Sequence, residues 1–139
     1  MEKIIAYTSG EARGNPGPSA AGVYITDSAG LLLNEAKQSL GNANSNFAEY
    51  YGVMLALQTL KETYGEESKE MQFEICLDSE LVKKQLSAEA QINEPGLVPM
   101  YIEIHNMRVV SFPNIFFTLI SKEENKEAVR LVSEALEGK

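Results

Sequence analysis

The first forty residues hold three β-type stretches whose connections are too short to carry a crossover. Lys3 to Ser9, Ala20 to Thr26 and Leu31 to Ser39 are rich in Ile, Val, Leu, Thr and Tyr. The Gly14/Pro16/Gly17/Pro18 cluster ends the first, and Asp27-Ser28-Ala29-Gly30 is a turn signal after the second. This spacing predicts an antiparallel meander, because parallel neighbours need a connection of about a dozen residues or more.

The rest of the chain alternates helix and strand. Gly41-Asn42-Ala43-Asn44-Ser45-Asn46 is loop and helix-cap material. A helix is predicted from about Phe47 to Thr63, with Phe47, Tyr50, Val53, Met54, Leu57 and Leu60 at spacings of three and four. Polar Gly65 to Glu70 closes it. Met71 to Leu77 reads as a fourth strand, Ser79 to about Leu86 as a short helix, and Ala88 to Glu94 as polar loop. Val98 to Val110 is a further helix, with Pro99 tolerable in its first turn. Pro113 to Ile120 is a fifth strand and Glu124 to Leu136 a last helix. The order β-β-β-α-β-α-α-β-α predicts an α/β protein, with a mixed sheet covered by helices on both faces. No repeat, low-complexity tract or linker interrupts residues 1–139, so one domain is expected.

Composition narrows the function classes. Hydrophobic residues at 44% and charged ones at 23% are those of a soluble globular protein. Met1 to Ala6 lacks the apolar core of a signal peptide, and no apolar run approaches bilayer-spanning length. The single cysteine, Cys76, lies in the apolar run Phe73-Glu74-Ile75-Cys76-Leu77, which predicts a buried strand thiol and fits a reducing cytoplasm. Net charge is −8, and the only adjacent basic pair is Lys83-Lys84. That balance disfavours a tight grip on a polyanion, whose affinity comes mainly from Lys and Arg on phosphates. It reads first as a solvated acidic surface.

Four motifs concentrate the chemistry. Tyr7-Thr8-Ser9-Gly10-Glu11-Ala12-Arg13-Gly14-Asn15-Pro16-Gly17-Pro18 runs from strand into turn. Asn46-Phe47-Ala48-Glu49-Tyr50 opens the long helix, where Glu49 is also a plain first-turn Glu favoured by the helix dipole. Leu77-Asp78-Ser79-Glu80-Leu81-Val82 joins strand to helix, where Asp78 is also simply a good N-cap. Glu123 to Leu131 starts the last helix, where Val129, Val132 and Leu136 form an apolar stripe that predicts core packing.

Together these motifs resemble type 1 ribonuclease H over nearly the whole chain, in the short form that lacks a basic helix after the second helix. The resemblance implies a five-stranded sheet, with the fourth and fifth strands parallel to the first. It also implies two Mg²⁺ or Mn²⁺ ions clamped by an Asp-Glu-Asp-Asp set for phosphodiester hydrolysis. Here that set reads Ser9, Glu49, Asp78 and Val129, with the first family Asp being the bridging ligand. Glu49 and Asp78 are the surviving carboxylates and would hold at most one weakly bound ion. Glu11 shares the face of Ser9 if the strand runs on past Gly10, and so offers a rescue. Asn15, Asn44, Ser45 and Asn46 resemble the residues that touch an RNA/DNA hybrid, while Gly14 and Gly17 serve the turn. His105, the only histidine, does not match the family's catalytic-loop histidine and reads as a partly exposed structural residue.

Three functions follow as expectations. The first is a catalytically silent ribonuclease H-like protein, retained for weak RNA/DNA-hybrid binding or for a protein partner. The second is an active ribonuclease H with an atypical metal site. The third is an interaction module with no nucleic-acid role. No membrane partner is expected, and the expected compartment is the cytoplasm.

Overall fold

In the computed structural model, which describes residues 2–139, the meander is built from β1 (Lys3–Ala12), β2 (Gly17–Asp27) and β3 (Leu32–Ala43), each antiparallel to the next. Helix α1 (Ser45–Tyr64) crosses to β4 (Gln72–Leu77), which lies parallel to β1. Helices α2 (Glu80–Leu86) and α3 (Val98–Ser111) lead to β5 (Ile115–Leu119), parallel to β4, and α4 (Lys126–Leu136) ends the chain. The strand order is β3-β2-β1-β4-β5. The predicted mixed sheet and its parallel half are therefore present.

The largest boundary correction is at β1, which continues three residues past Ser9: Gly10, Glu11 and Ala12 pair with Ala21, Ala20 and Ser19. Gly10 is a packing glycine rather than a turn glycine. A Cβ there would lie 2.1 Å from the carbonyl carbon of Ala48, so only glycine lets α1 descend onto the strand. The turn begins at Arg13, whose N–H donates to the Pro18 carbonyl at 2.8 Å. At the far end, α4 starts later than expected, after a single 3₁₀ turn over Glu123–Asn125. Ser121 and Glu124 cap that turn reciprocally: the Glu124 N–H donates to Ser121 Oγ at 3.2 Å and the Ser121 N–H to Glu124 Oε1 at 3.0 Å.

Side chains of β1 alternate between two layers. Ile4 and Ala6, with Phe73 and Ile75 of β4, are buried in a core that includes Tyr50, Val53, Leu57 and Leu60 of α1. Each large side chain buried there contributes about 1.5–3 kcal/mol relative to exposure. The odd-numbered face, with Tyr7 against Tyr24, belongs to the α4 side. Gly22, the register partner of Ser9, has no room for a Cβ beneath α4: it would lie 2.7 Å from the Ala128 carbonyl oxygen. Of the predicted α4 stripe, Val132 is buried, but Val129 and Leu136 are only half-buried. Ala128 and Leu131 take the core positions instead, because α4 rests on Gly22 through its Ala128/Leu131/Val132 face.

Candidate functional site

Three of the four motif positions, Ser9, Glu49 and Asp78, meet where the adjacent parallel strands β1 and β4 end. Ser9 lies near the end of β1, 5% exposed, on the face covered by α4. Asp78 follows the last residue of β4, and Glu49 comes from α1, whose close approach is permitted by Gly10 and Gly52. A Cβ on Gly52 would sit 2.8 Å from the Ser9 carbonyl oxygen.

Glu49 is not a first-turn residue. The first turn of α1 carries no acidic side chain, so the helix-dipole reading is set aside. The side chain is 9% exposed, and its Oε2 has no hydrogen-bond partner. Burial is the main force that pushes its pKa up to about 8, and the Asp78 carboxylate adds to it. The Gly10 backbone amide and the Lys122 ammonium act against that rise, while Glu11 reinforces it. In the metal-free chain Glu49 therefore holds its proton to a higher pH than a free carboxyl does.

Asp78 is not the cap of α2. Ser79 is, accepting from the Val82 N–H at 3.3 Å. This frees the Asp78 carboxylate, whose Oδ2 accepts from Asn125 Nδ2 at 2.9 Å; the same amide nitrogen donates to the Thr8 carbonyl at 2.8 Å. Asn125 is 1% exposed and ties the approach to α4 to the ends of both central strands. The sequence showed it only as one residue of the Glu123 to Leu131 motif, without a role.

Val129 follows the Ala128 that overlies Gly22, and carries no donor to the site. Glu11 does share the strand face of Ser9, since β1 runs on, but it is solvent-exposed. Among the described residues, no three His, Cys, Asp or Glu side chains are gathered closely enough to hold a metal ion. The donor set is one buried carboxyl, one carboxylate tied to an amide, a hydroxyl and a valine. Two divalent ions do not fit it, because nothing present can bridge and neutralise them.

The other sequence candidates lie apart from this cluster or serve different ends. Asn15 is exposed in the turn between β1 and β2, and Ser45 is exposed at the start of α1. Asn44 caps α1, accepting from the Phe47 N–H at 2.8 Å, and with Asn46 it contacts Glu94. His105 stacks on Tyr101 along α3, with centroids 6.3 Å apart, beside a groove of about 410 Å³ that Arg108 also lines. Cys76 is buried, and burial raises its thiol pKa to about 12, so it is inert at neutral pH.

A five-stranded mixed sheet in this order, with acidic side chains gathered at the ends of its parallel centre, defines the ribonuclease H-like class of α/β protein. The chain matches the family model described as Reverse transcriptase-like over residues 8–135, and it belongs to that family, on its type 1 ribonuclease H-like side. LC11-RNase H1, isolated from compost by a metagenomic approach, is similar with a TM-score of 0.94 and 38% identity, over 99% of this chain and 98% of that one. The same protein in complex with an RNA/DNA hybrid gives 0.93 and 37%, over 97% of each chain. In sequence, the chain is 30% identical over 135 residues to Ribonuclease HI of Halobacterium salinarum, covering 97% of this chain and 65% of that protein. It is 29% identical over 136 residues to a bifunctional protein of Mycobacterium tuberculosis, of which it spans 36%. The chain thus spans about a third of the mycobacterial relative and just under two thirds of the halobacterial one. No helix among the described residues is long and apolar enough to cross a membrane.

Proposed function

We propose that this chain is a catalytically silent ribonuclease H-like protein that engages RNA/DNA hybrids without cutting them. One observation carries the reading: the Asp-Glu-Asp-Asp positions hold Ser9, Glu49, Asp78 and Val129, and among the described residues no third carboxylate joins the two that remain. Loss of preorganised charge stabilisation at such a centre costs orders of magnitude in rate. If an Mg²⁺ or Mn²⁺ ion binds, Glu49 and Asp78 are the residues that would hold it, and it would supply Lewis-acid polarisation of a phosphate oxygen. Hybrid binding is supported by the similarity to LC11-RNase H1, which has been captured with that ligand. A second reading, an active endonuclease, is favoured by Glu11, which lies on the Ser9 face and close enough to raise the Glu49 pKa.

The test is incubation of the purified chain with an RNA/DNA hybrid in Mg²⁺ and in Mn²⁺, with binding measured across a salt series. Salt-dependent binding without cleavage is expected. Cleavage that disappears in Glu49→Gln and Asp78→Asn would overturn silence, and its loss in Glu11→Gln would establish the second reading. Absence of binding at low salt would leave the chain an interaction module for protein partners.

A further inference from the structure

We propose that Glu94 is a built-in anion that fills the contact site formed by Asn44 and Asn46 and so holds down this chain's affinity for nucleic-acid phosphate. The inference rests on the hybrid-binding reading above and adds a residue to it. Asn46 Nδ2 donates to Glu94 Oε1 at 2.6 Å, and Asn44 Nδ2 donates to Oε2 at 3.2 Å. Each carboxylate oxygen therefore takes one amide donor, a two-point arrangement that suits two oxygens of a phosphodiester equally well. The Asn44 amide cannot turn away, because its Oδ1 is committed to the Phe47 N–H. Both amides that the resemblance assigns to substrate thus commit an N–H to an internal carboxylate.

Among the described residues, no Lys, Arg or His lies within ion-pair distance of Glu94, although it is half-buried. A partly desolvated anion held by neutral amides alone marks an oxyanion site in which the chain supplies its own occupant. The loop that carries Glu94 is anchored on both sides. Before it, Gln85 Nε2 donates to the Gln91 carbonyl at 3.1 Å, Gln85 Oε1 accepts from the Tyr50 hydroxyl at 2.7 Å, and Ile92 packs on the core. After it, Leu97 is buried. An incoming phosphate therefore meets a fixed negative charge as well as occupied donors, and both act in the same direction in a chain of net charge −8.

The experiment uses the full chain and its Glu94→Ala and Glu94→Gln variants. Hybrid affinity is read by fluorescence anisotropy, and the Asn44 and Asn46 side-chain amides by ¹⁵N NMR during titration with inorganic phosphate. Glu94→Ala is expected to tighten hybrid binding about tenfold at fixed salt, with Glu94→Gln in between. Phosphate should move the two amide signals in Glu94→Ala and leave them in place in the wild type. Adding Asn46→Ala to Glu94→Ala should return affinity to the wild-type level. If Glu94 only staples the loop, Glu94→Ala will lower Tm with no gain in affinity and no phosphate-dependent shift, and the proposal is overturned. If phosphate moves the amides in Glu94→Ala while no form binds hybrid, Glu94 still fills an oxyanion site and it is the hybrid-binding reading that fails. Should Glu94→Ala not fold, the same two readouts on Glu94→Gln decide the matter.

Discussion

On one face of β1, Gly10 and Gly52 bring α1 down backbone against backbone, and the carboxyl that α1 delivers there, Glu49, is present. On the other face, Gly22 and Asn125 draw the start of α4 down just as closely, yet Ser9 and Val129 bring no charge. The contacts that seat both helices are steric and hydrogen-bonded, and none of them needs the missing carboxylates. Packing and chemistry therefore separate at this site: helix α1 brings both, helix α4 only the packing. Four carboxyls crowded together without cations repel one another, so two neutral side chains among the four positions leave the fold less repulsion to bear.

The sharpest way to break this contrast is to put the charges back. The Ser9→Asp/Val129→Asp double variant is expected to raise Mg²⁺-dependent hybrid cleavage on the order of 10³-fold over wild type, read by gel assay of a labelled hybrid. Unchanged activity would mean that the α4 face has lost geometry along with charge. The next effect is steric. Gly10→Ala forces a Cβ into the Ala48 carbonyl and is expected to cost several kcal/mol, beyond the usual range for one substitution, whereas Gly30→Ala, with open space around it, should show only the backbone strain of its positive φ, about 1–2 kcal/mol. Urea unfolding of both variants checks this.

The smallest effect concerns charge on the α1 face and follows from linkage. Because the folded-state pKa of Glu49 is raised from 4.5 to about 8, its contribution is fully present below about pH 4.5 and is lost as pH rises through 8. Glu49→Gln removes that dependence, so the variant should gain on wild type by up to a few kcal/mol between pH 5 and pH 9. Denaturant unfolding at the two pH values in chelator-treated buffer measures it. A wild-type curve parallel to that of Glu49→Gln would show that Glu49 is ionised in the folded chain throughout.

Much of this was legible in the chain. The alternation of Lys3 to Ser39, the helical spacing from Phe47 to Leu60 and the three later motifs led to the observed element order. What failed were local readings of residues whose partners are distant. Gly10 looked like the end of a strand because its reason for being glycine, the Ala48 carbonyl, is 38 positions away. For Asp78 the cap stayed open beside the site reading because Ser79 offers the same chemistry one residue later, and the partner that distinguishes them, Asn125, comes 47 residues on. Val129 looked like core because helical spacing reports an apolar stripe but not which side of it meets the sheet. The grip of Glu94 on Asn44 and Asn46 left no trace in any motif, since it joins a polar loop to a cap across about 50 residues.

By itself, the sequence determined the order of elements and the identity of the side chains at the four carboxylate positions, because both are local: periodicity sets the first and covalent chemistry the second. Only the tertiary structure decided the charge on what remains. Whether Glu49 is an ion or an acid depends on burial under α1, on Asp78 from β4, and on Glu11 and Lys122 from segments more than a hundred residues apart. Solvent access and Coulomb interactions act through space, and only the folded chain sets those distances.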